Sequence, residues 1–289
     1  MTTNSQYEVS LASIQNQRKS NQDSALAFTY RNEKLHFQST LTNHNQQTCT
    51  LTKPPRYIAG AILCDGLHQN GDQSSQLTID LFREIIENQT TSKNSAIERF
   101  NLRSYARIKH IEHGATTALV CLIDSEEKLH MGYIGDTRLY FIPKKTNDVH
   151  LLTRDHNYQR QIMQEEAGIQ ALEKPENIDF WDDPEEIEFI HLKGNLIPAT
   201  SRLTKSIGYL MRHDLDEKIY EIPTPAIIDK GDTLALLTDG AYEGFRNKRA
   251  TLGDLIRNIT SSEATRLIIN IAEDCTDDNA TAIILKRTT

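Results

Sequence analysis

The stretch TALVCLIDSEEKLHMGYIGDTRLYFI (Thr117–Ile142) sets the architecture. It holds three strand-length runs, Thr117–Ile123, Leu129–Ile134 and Arg138–Ile142, rich in aliphatic, aromatic and β-branched residues. The connectors Asp124–Lys128 and Gly135–Thr137 are short enough to join antiparallel neighbours but cannot carry a parallel crossover. Upstream, two helical patterns follow one another with no strand between them. Leu77, Leu81, Phe82 and Ile85 form one apolar stripe; Ile97, Phe100, Ser104, Ile108 and Ile111 form the next. Before them, the polar Gln38–Pro55 reads as a hairpin or loop leading into the strand Tyr57–Cys64. Downstream, strands are expected at Ile187–Leu192, Thr233–Leu237 and Thr281–Leu285, with a helical pair at Thr251–Asn258 and Ser262–Cys275. Strands grouped with strands and helices with helices predict an α+β fold in one domain spanning 1–289. The irregular, acidic segment from about 156 to 198, around Trp181, reads either as a solvated surface excursion or as a flap beside a site.

Composition narrows the function. The 289 residues carry 32 basic against 40 acidic side chains, a net charge of −8, which argues against gripping nucleic acid phosphates or anionic lipid. No secretory pattern is read at the N-terminus, and no apolar run approaches a membrane span, so a soluble, cytoplasmic protein is expected. Cys49, Cys64, Cys121 and Cys275 are scattered, without the pairing of a zinc knuckle or a disulfide framework.

The chemical signal is aspartates at the ends of apolar strands. Asp65-Gly66 follows Ala61–Cys64; Asp239-Gly240 follows Leu234–Thr238; Gly135-Asp136 follows Met131–Ile134; Asp277-Asp278-Asn279 precedes Ala280–Leu285; and Asp23 precedes Ala25–Phe28. One Asp-Gly after a strand is usually a turn. Five such sites have another reading, because strands of facing sheets bring their ends together and converging carboxylates must take up protons or hold a cation. Oxygen-only ligands select Mg²⁺ or Mn²⁺ over zinc. Two such ions bridged by a carboxylate suit attack of water on phosphorus.

Eight pieces, in order from residue 18 to 281, resemble the motifs of the metal-dependent protein serine/threonine phosphatases of the PPM (type 2C) family. They are Arg18–Asp23, Cys64-Asp65-Gly66, Gly114–Thr117, Gly135–Arg138, Leu152–His156, Leu203–Gly208, Thr238-Asp239-Gly240 and Asp278–Thr281. The resemblance implies an antiparallel β-sandwich flanked by helix pairs, with two Mn²⁺ or Mg²⁺ ions and in many members a third. It implies that Asp65 bridges the metals and Gly66 offers its carbonyl. Asp239 and Asp278 would ligate one ion, Asp23 the other, and Asp136 the third. Arg18 would grip the substrate phosphate as a fork. The implied activity is hydrolysis of phosphoserine or phosphothreonine by a metal-activated water, on a phosphoprotein substrate whose modification a Ser/Thr kinase supplies.

The chain departs from the family in places. After Asp65-Gly66 it reads Leu67-His68-Gln69-Asn70, where the family has Met-Gly-Gly-His or His-Ala-Gly. Gln22 stands where many members carry Glu, Thr137 replaces Ser, and Lys205 replaces Arg. His68, one place out of register, reads as a loop histidine, with assistance to the leaving group as the sharper alternative. His110 and His113, at i and i+3 of an expected helix, read as a solvated face, with a metal pair lacking a third ligand as the sharper alternative. The altered loop favours a second reading, an inactive or weak PPM-fold regulatory or binding module. Retention of every core acid counts against it.

Overall fold

In the sequence, Ala25, Leu26, Ala27 and Phe28 are all apolar, and all four are buried, because β2 is covered on both faces. The computed structural model describes residues 6–41, 46–51, 53–88, 96–108, 110–146, 148–153, 155–156, 189–192, 195–198, 206–208, 222–245 and 249–288. The elements are β1 (Tyr7–Ile14), β2 (Ser24–Arg31), β3 (Lys34–Ser39), β4 (Gln46–Thr50), β5 (Tyr57–Cys64), β6 (Gly66–Leu67), α1 (Gly71–Glu87), α2 (Ala96–Ile108), β7 (Ala115–Thr116), β8 (Ala118–Asp124), β9 (Lys128–Ile134), β10 (Arg138–Ile142), β11 (His150–Leu151), β12 (Phe189–Leu192), β13 (Asn195–Pro198), β14 (Ile207–Gly208), β15 (Ile222–Ile227), β16 (Thr233–Leu237), α3 (Asp239–Tyr242), α4 (Arg249–Arg257), α5 (Ser261–Cys275) and β17 (Ala280–Arg287).

Two antiparallel sheets dominate, ordered β15-β9-β8-β5-β2-β3-β4 and β1-β17-β16-β10-β11. Strand alternation divides the apolar residues among three packed layers. Between the sheets, Ala25, Ala27, Leu63, Leu119 and Met131 meet Leu139, Leu234, Leu236, Ile283 and Leu285. Outside the larger sheet, Leu26, Phe28, Ile62 and Val120 pack under Leu81, Phe82, Ile85 and Phe100 of α1 and α2. Outside the smaller, Tyr140, Ala235, Leu237, Ala282 and Ile284 pack under Tyr242, Leu252, Ile256 and Ile268 of α3–α5. The result is helix, sheet, sheet, helix, as the α+β reading expected. A capping box starts α5: Glu263 N–H donates to Thr260 Oγ1 at 3.2 Å, and Thr260 N–H donates to Glu263 Oε2 at 3.0 Å.

Two expectations change. The connector Asp124–Lys128 closes a hairpin between β8 and β9, but Gly135–Thr137 does not join neighbours of one sheet. After it the chain crosses to the other sheet, where β10 pairs with β16 and β11. Gly135 makes the corner at φ +106, where a Cβ would lie 2.5 Å from Thr117 Cγ2. The second helix stops at Ile108, leaving Ile111 beyond it; His110 and His113 are exposed in the following turn, with His113 at φ 52. They form no helical pair. The segment around Trp181 lies outside the described residues, apart from the short hairpin of β12 and β13.

Candidate metal centre

Strand register gathers the aspartates. Ser24 pairs with Cys64, so Asp23 and Asp65 flank one rung of the larger sheet. Arg138 pairs with Leu237, and Leu237 with Ala282, so the corner holding Asp136 lies beside Thr238-Asp239 and near Asp278. Ala118 pairs with Ile134, which brings Thr117 to the same corner from the facing sheet. All five strand-end aspartates therefore sit at one end of the sandwich.

Hydroxyls hold the backbone there. Asp65 N–H donates to Thr117 Oγ1 at 2.9 Å, and the Asp65 carbonyl accepts from Thr117 N–H at 2.8 Å and Thr116 Oγ1 at 2.9 Å. Thr117 Oγ1 shares a hydrogen bond with Thr137 Oγ1 at 2.8 Å, tying this corner to that of Asp136. Asp23 Oδ2 accepts from Thr238 Oγ1 at 3.1 Å, and Thr238 Oγ1 accepts from Thr281 N–H at 2.9 Å. Asp239 Oδ1 accepts from Gly240 N–H at 2.7 Å, and Asp278 Oδ1 from Asn279 N–H at 2.8 Å. Asn279 joins three segments: its Oδ1 accepts from Gln22 N–H at 2.9 Å, and its Nδ2 donates to the Gln15 carbonyl at 2.7 Å.

The electrostatics are those of crowded anions. Burial, followed by the negative charges of neighbouring aspartates, pushes Asp23 up to about 7 and Asp239 up to about 6. Asp65 and Asp136 are pushed well above the ordinary carboxylate range, again by burial first and by Asp239 next. Asp23 Oδ1 is buried with no hydrogen-bond partner among the described residues, an acceptor that a cation would satisfy. Three or more such side chains are not already drawn to ligating distances among the described residues. The donor set fits Mg²⁺ or Mn²⁺ in kind: carboxylate oxygens, with mutual repulsion that a divalent ion relieves.

Arg18 lies at the mouth, 59% exposed, and its Nη2 donates to Asp278 Oδ2 at 2.5 Å. Gly66 has a packing role beyond any carbonyl it offers, since a Cβ there would sit 2.3 Å from the Gly71 carbonyl oxygen and 2.6 Å from that of Gln22. The departures Gln22 and Leu67–Asn70 turn out to be linked. Gln22 Nε2 donates to the His68 carbonyl at 2.7 Å, a bond glutamate could not make. His68 is exposed at φ 66. Lys205 and the rest of Leu203–Lys205 lie outside the described residues.

The sequence reading assigned no role to the hydroxyls of Thr116, Thr117, Thr238 and Thr281, nor to Asn279. Thr238 and Asn279 each adjoin a strand-end aspartate, whereas Thr116 and Thr117 stand before β8 with no aspartate beside them in the sequence.

No protein-family model matches the sequence, and no curated protein matches it. Solved structures do. The S. agalactiae serine/threonine phosphatase aligns over 97% of this chain and 99% of its own, with a TM-score of 0.62 and 18% identity. The catalytic domain of the serine/threonine phosphatase PstP, in complex with two manganese ions, aligns over 98% and 99%, with a TM-score of 0.60 and 16% identity. The PPM Ser-Thr phosphatase MsPP from Mycobacterium smegmatis, in complex with cacodylate, aligns over 96% and 97%, with a TM-score of 0.61 and 16% identity. The likeness is one of fold, and it extends over nearly the full length of each chain.

Proposed function

We propose that this chain, built on the fold of the PPM-type serine/threonine phosphatases, is itself a metal-dependent protein phosphatase acting on phosphoserine or phosphothreonine. The observation that carries the reading is the convergence of Asp23, Asp65, Asp136, Asp239 and Asp278 from five strand ends into one repelling cluster. Asp65, which feels the charge of all four others, is the candidate bridge. Asp239 and Asp278 would hold one ion and Asp23 another, with the Gly66 carbonyl beside Asp65 and Asp136 at a third, weaker site. Bound Mn²⁺ or Mg²⁺ supplies Lewis-acid charge stabilisation and a lowered pKa for water.

The chain's own groups do the rest. Arg18 offers a planar set of N–H donors to the phosphoryl oxygens, with its Nη2 held by Asp278 Oδ2. Thr238 holds the Asp23 carboxylate, and Thr117 and Thr137 hold the backbone corners of Asp65 and Asp136, so that little reorganisation is needed when charge develops. The partner is then a phosphoprotein opposed by a Ser/Thr kinase, and the whole chain works as one domain. A cytoplasmic location accords with the finding that no helix of the described residues is long and apolar enough to cross a membrane.

The test is hydrolysis of p-nitrophenyl phosphate and of a phosphothreonine peptide with Mn²⁺, with Mg²⁺ and with chelator. Turnover that needs metal and disappears in Asp239→Asn supports the reading. A folded protein inactive with both ions favours the second reading, a regulatory module, which the loop at Leu67–Asn70 supports.

A further inference from the structure

Arg138 has no part in the chemistry above, yet its side chain is buried to 7% exposure at the edge of the cluster. A guanidinium is costly to bury unless every face is met. Its Nε and Nη2 donate to the two carboxylate oxygens of Asp155 at 3.1 and 2.8 Å, a bidentate fork. Its Cζ lies 3.9 Å from the centroid of the Tyr242 ring, a close cation–π contact.

Each of these groups is tied to a candidate ligand. Arg138 follows Asp136 by two residues, at the start of β10. Tyr242 closes the single helical turn that Asp239 opens, and is 3% exposed. Asp155 precedes His156, whose N–H donates to the Gly135 carbonyl at 2.9 Å and whose Nδ1 accepts from Gly135 N–H at 3.1 Å. The His156 ring also stacks on Tyr133, with centroids 5.2 Å apart and planes 11° apart. One guanidinium thus joins three segments: the corner of Asp136, the turn of Asp239 and the chain leading into the 156–198 region.

We propose that Arg138 is a positioning residue, which sets the placement of Asp136 relative to Asp239 through its grip on Asp155 and Tyr242. The inference rests on the metal-dependent reading. A lysine would keep the charge but lose both the fork and the stack. A leucine at 242 would remove the stack alone, whereas phenylalanine would keep it.

The experiment measures Mn²⁺ binding by calorimetry and by electron paramagnetic resonance, with a thermal melt of each variant. Partners one step behind metal ligands typically cost 10–100-fold in affinity when lost. Arg138→Lys is expected to weaken Mn²⁺ binding about tenfold. Tyr242→Leu weakens it several-fold, while Tyr242→Phe retains the wild-type affinity. At saturating Mn²⁺ the KM for a phosphopeptide stays unchanged, because Arg18 is untouched. Folded Arg138→Lys and Tyr242→Leu proteins with wild-type Mn²⁺ affinity overturn the proposal, as does an equal loss in Tyr242→Phe and Tyr242→Leu. Should Arg138→Lys fail to fold, the Tyr242 pair still decides. A wild-type protein that binds no Mn²⁺ overturns the metal reading itself, and this inference with it.

Discussion

Replacing Asp23 by Asn removes a charge that the metal-free protein is strained to hold, so the substitution should raise stability while lowering metal binding. Asp23 is 4% exposed, and burial together with Asp239 and Asp278 lifts its pKa from an ordinary 3.8 to about 7. The folded chain therefore keeps the proton more tightly than the unfolded chain. With a raised folded pKa, this group's contribution is favourable below pH 3.8 and is lost as pH climbs toward 7. At about 1.36 kcal/mol per pH unit, holding the carboxylate ionised at pH 8 costs about 4 kcal/mol. Because Asp23, Asp239 and Asp278 share one field, and because the amide inherits the orphaned position of Oδ1, the net gain from Asn is smaller, about 2–3 kcal/mol. For a chain of this length that is roughly 3–5 °C in Tm. The assay is thermal unfolding in EDTA at pH 8 and pH 4. The variant should melt higher at pH 8 and no higher at pH 4, where wild-type Asp23 is already protonated. With excess Mn²⁺ the order should reverse, since ligand at 100 times Kd adds about 2.7 kcal/mol to whichever protein binds it. An Asn variant less stable than wild type at pH 8 in EDTA, or equally favoured at both pH values, refutes the reasoning.

Other outcomes follow from the same geometry. Asp65→Asn and Asp239→Asn should each abolish Mn²⁺-stimulated turnover while leaving circular dichroism and the melting temperature intact or raised. Arg18→Ala should raise KM for a phosphopeptide about tenfold, the worth of one charge-assisted hydrogen bond, with a smaller change in kcat, and steady-state kinetics would separate the two. Gln22→Glu breaks the bond to the His68 carbonyl and adds an acid to the cluster; it should destabilise the apo protein by about 1–2 kcal/mol in denaturant titration instead of improving activity. Gly66→Ala should leave little folded protein in solubility and circular dichroism assays, because the new methyl meets the carbonyl oxygens of Gly71 and Gln22 at 2.3 and 2.6 Å.

Much of this was readable in the residues, for physical reasons. β10 and β16 begin and end where the sequence placed them, since continuous apolar runs flanked by Asp, Gly and Thr leave little choice of boundary. The edge strand β15 was missed, because Pro223 and Pro225 argue against a strand and are tolerated only where a ladder is one-sided and bulged. β1 was missed as well: Ser10, Ala12 and Ser13 give its alternation little contrast, and it is held by eight rungs to β17 from the far end of the sequence. The acids of the site were visible because each stands at a strand end. What no local pattern carries is their supporting set. The threonine hydroxyls, the Gln22–His68 link and the grip of Arg138 on Asp155 and Tyr242 join residues that meet only after the sheets have packed.

The place of β17 has a consequence for synthesis. It lies between β1 and β16, so the smaller sheet is split until residues 280–287 take their position, and Asp278 immediately precedes that strand. A nascent chain still lacking these residues already holds all five aspartates but cannot join the first strand to the rest of its sheet. Pairing of such distant segments is slow to nucleate. Closure of the smaller sheet, and with it the gathering of the five candidate ligands, is thus deferred until translation has passed residue 287.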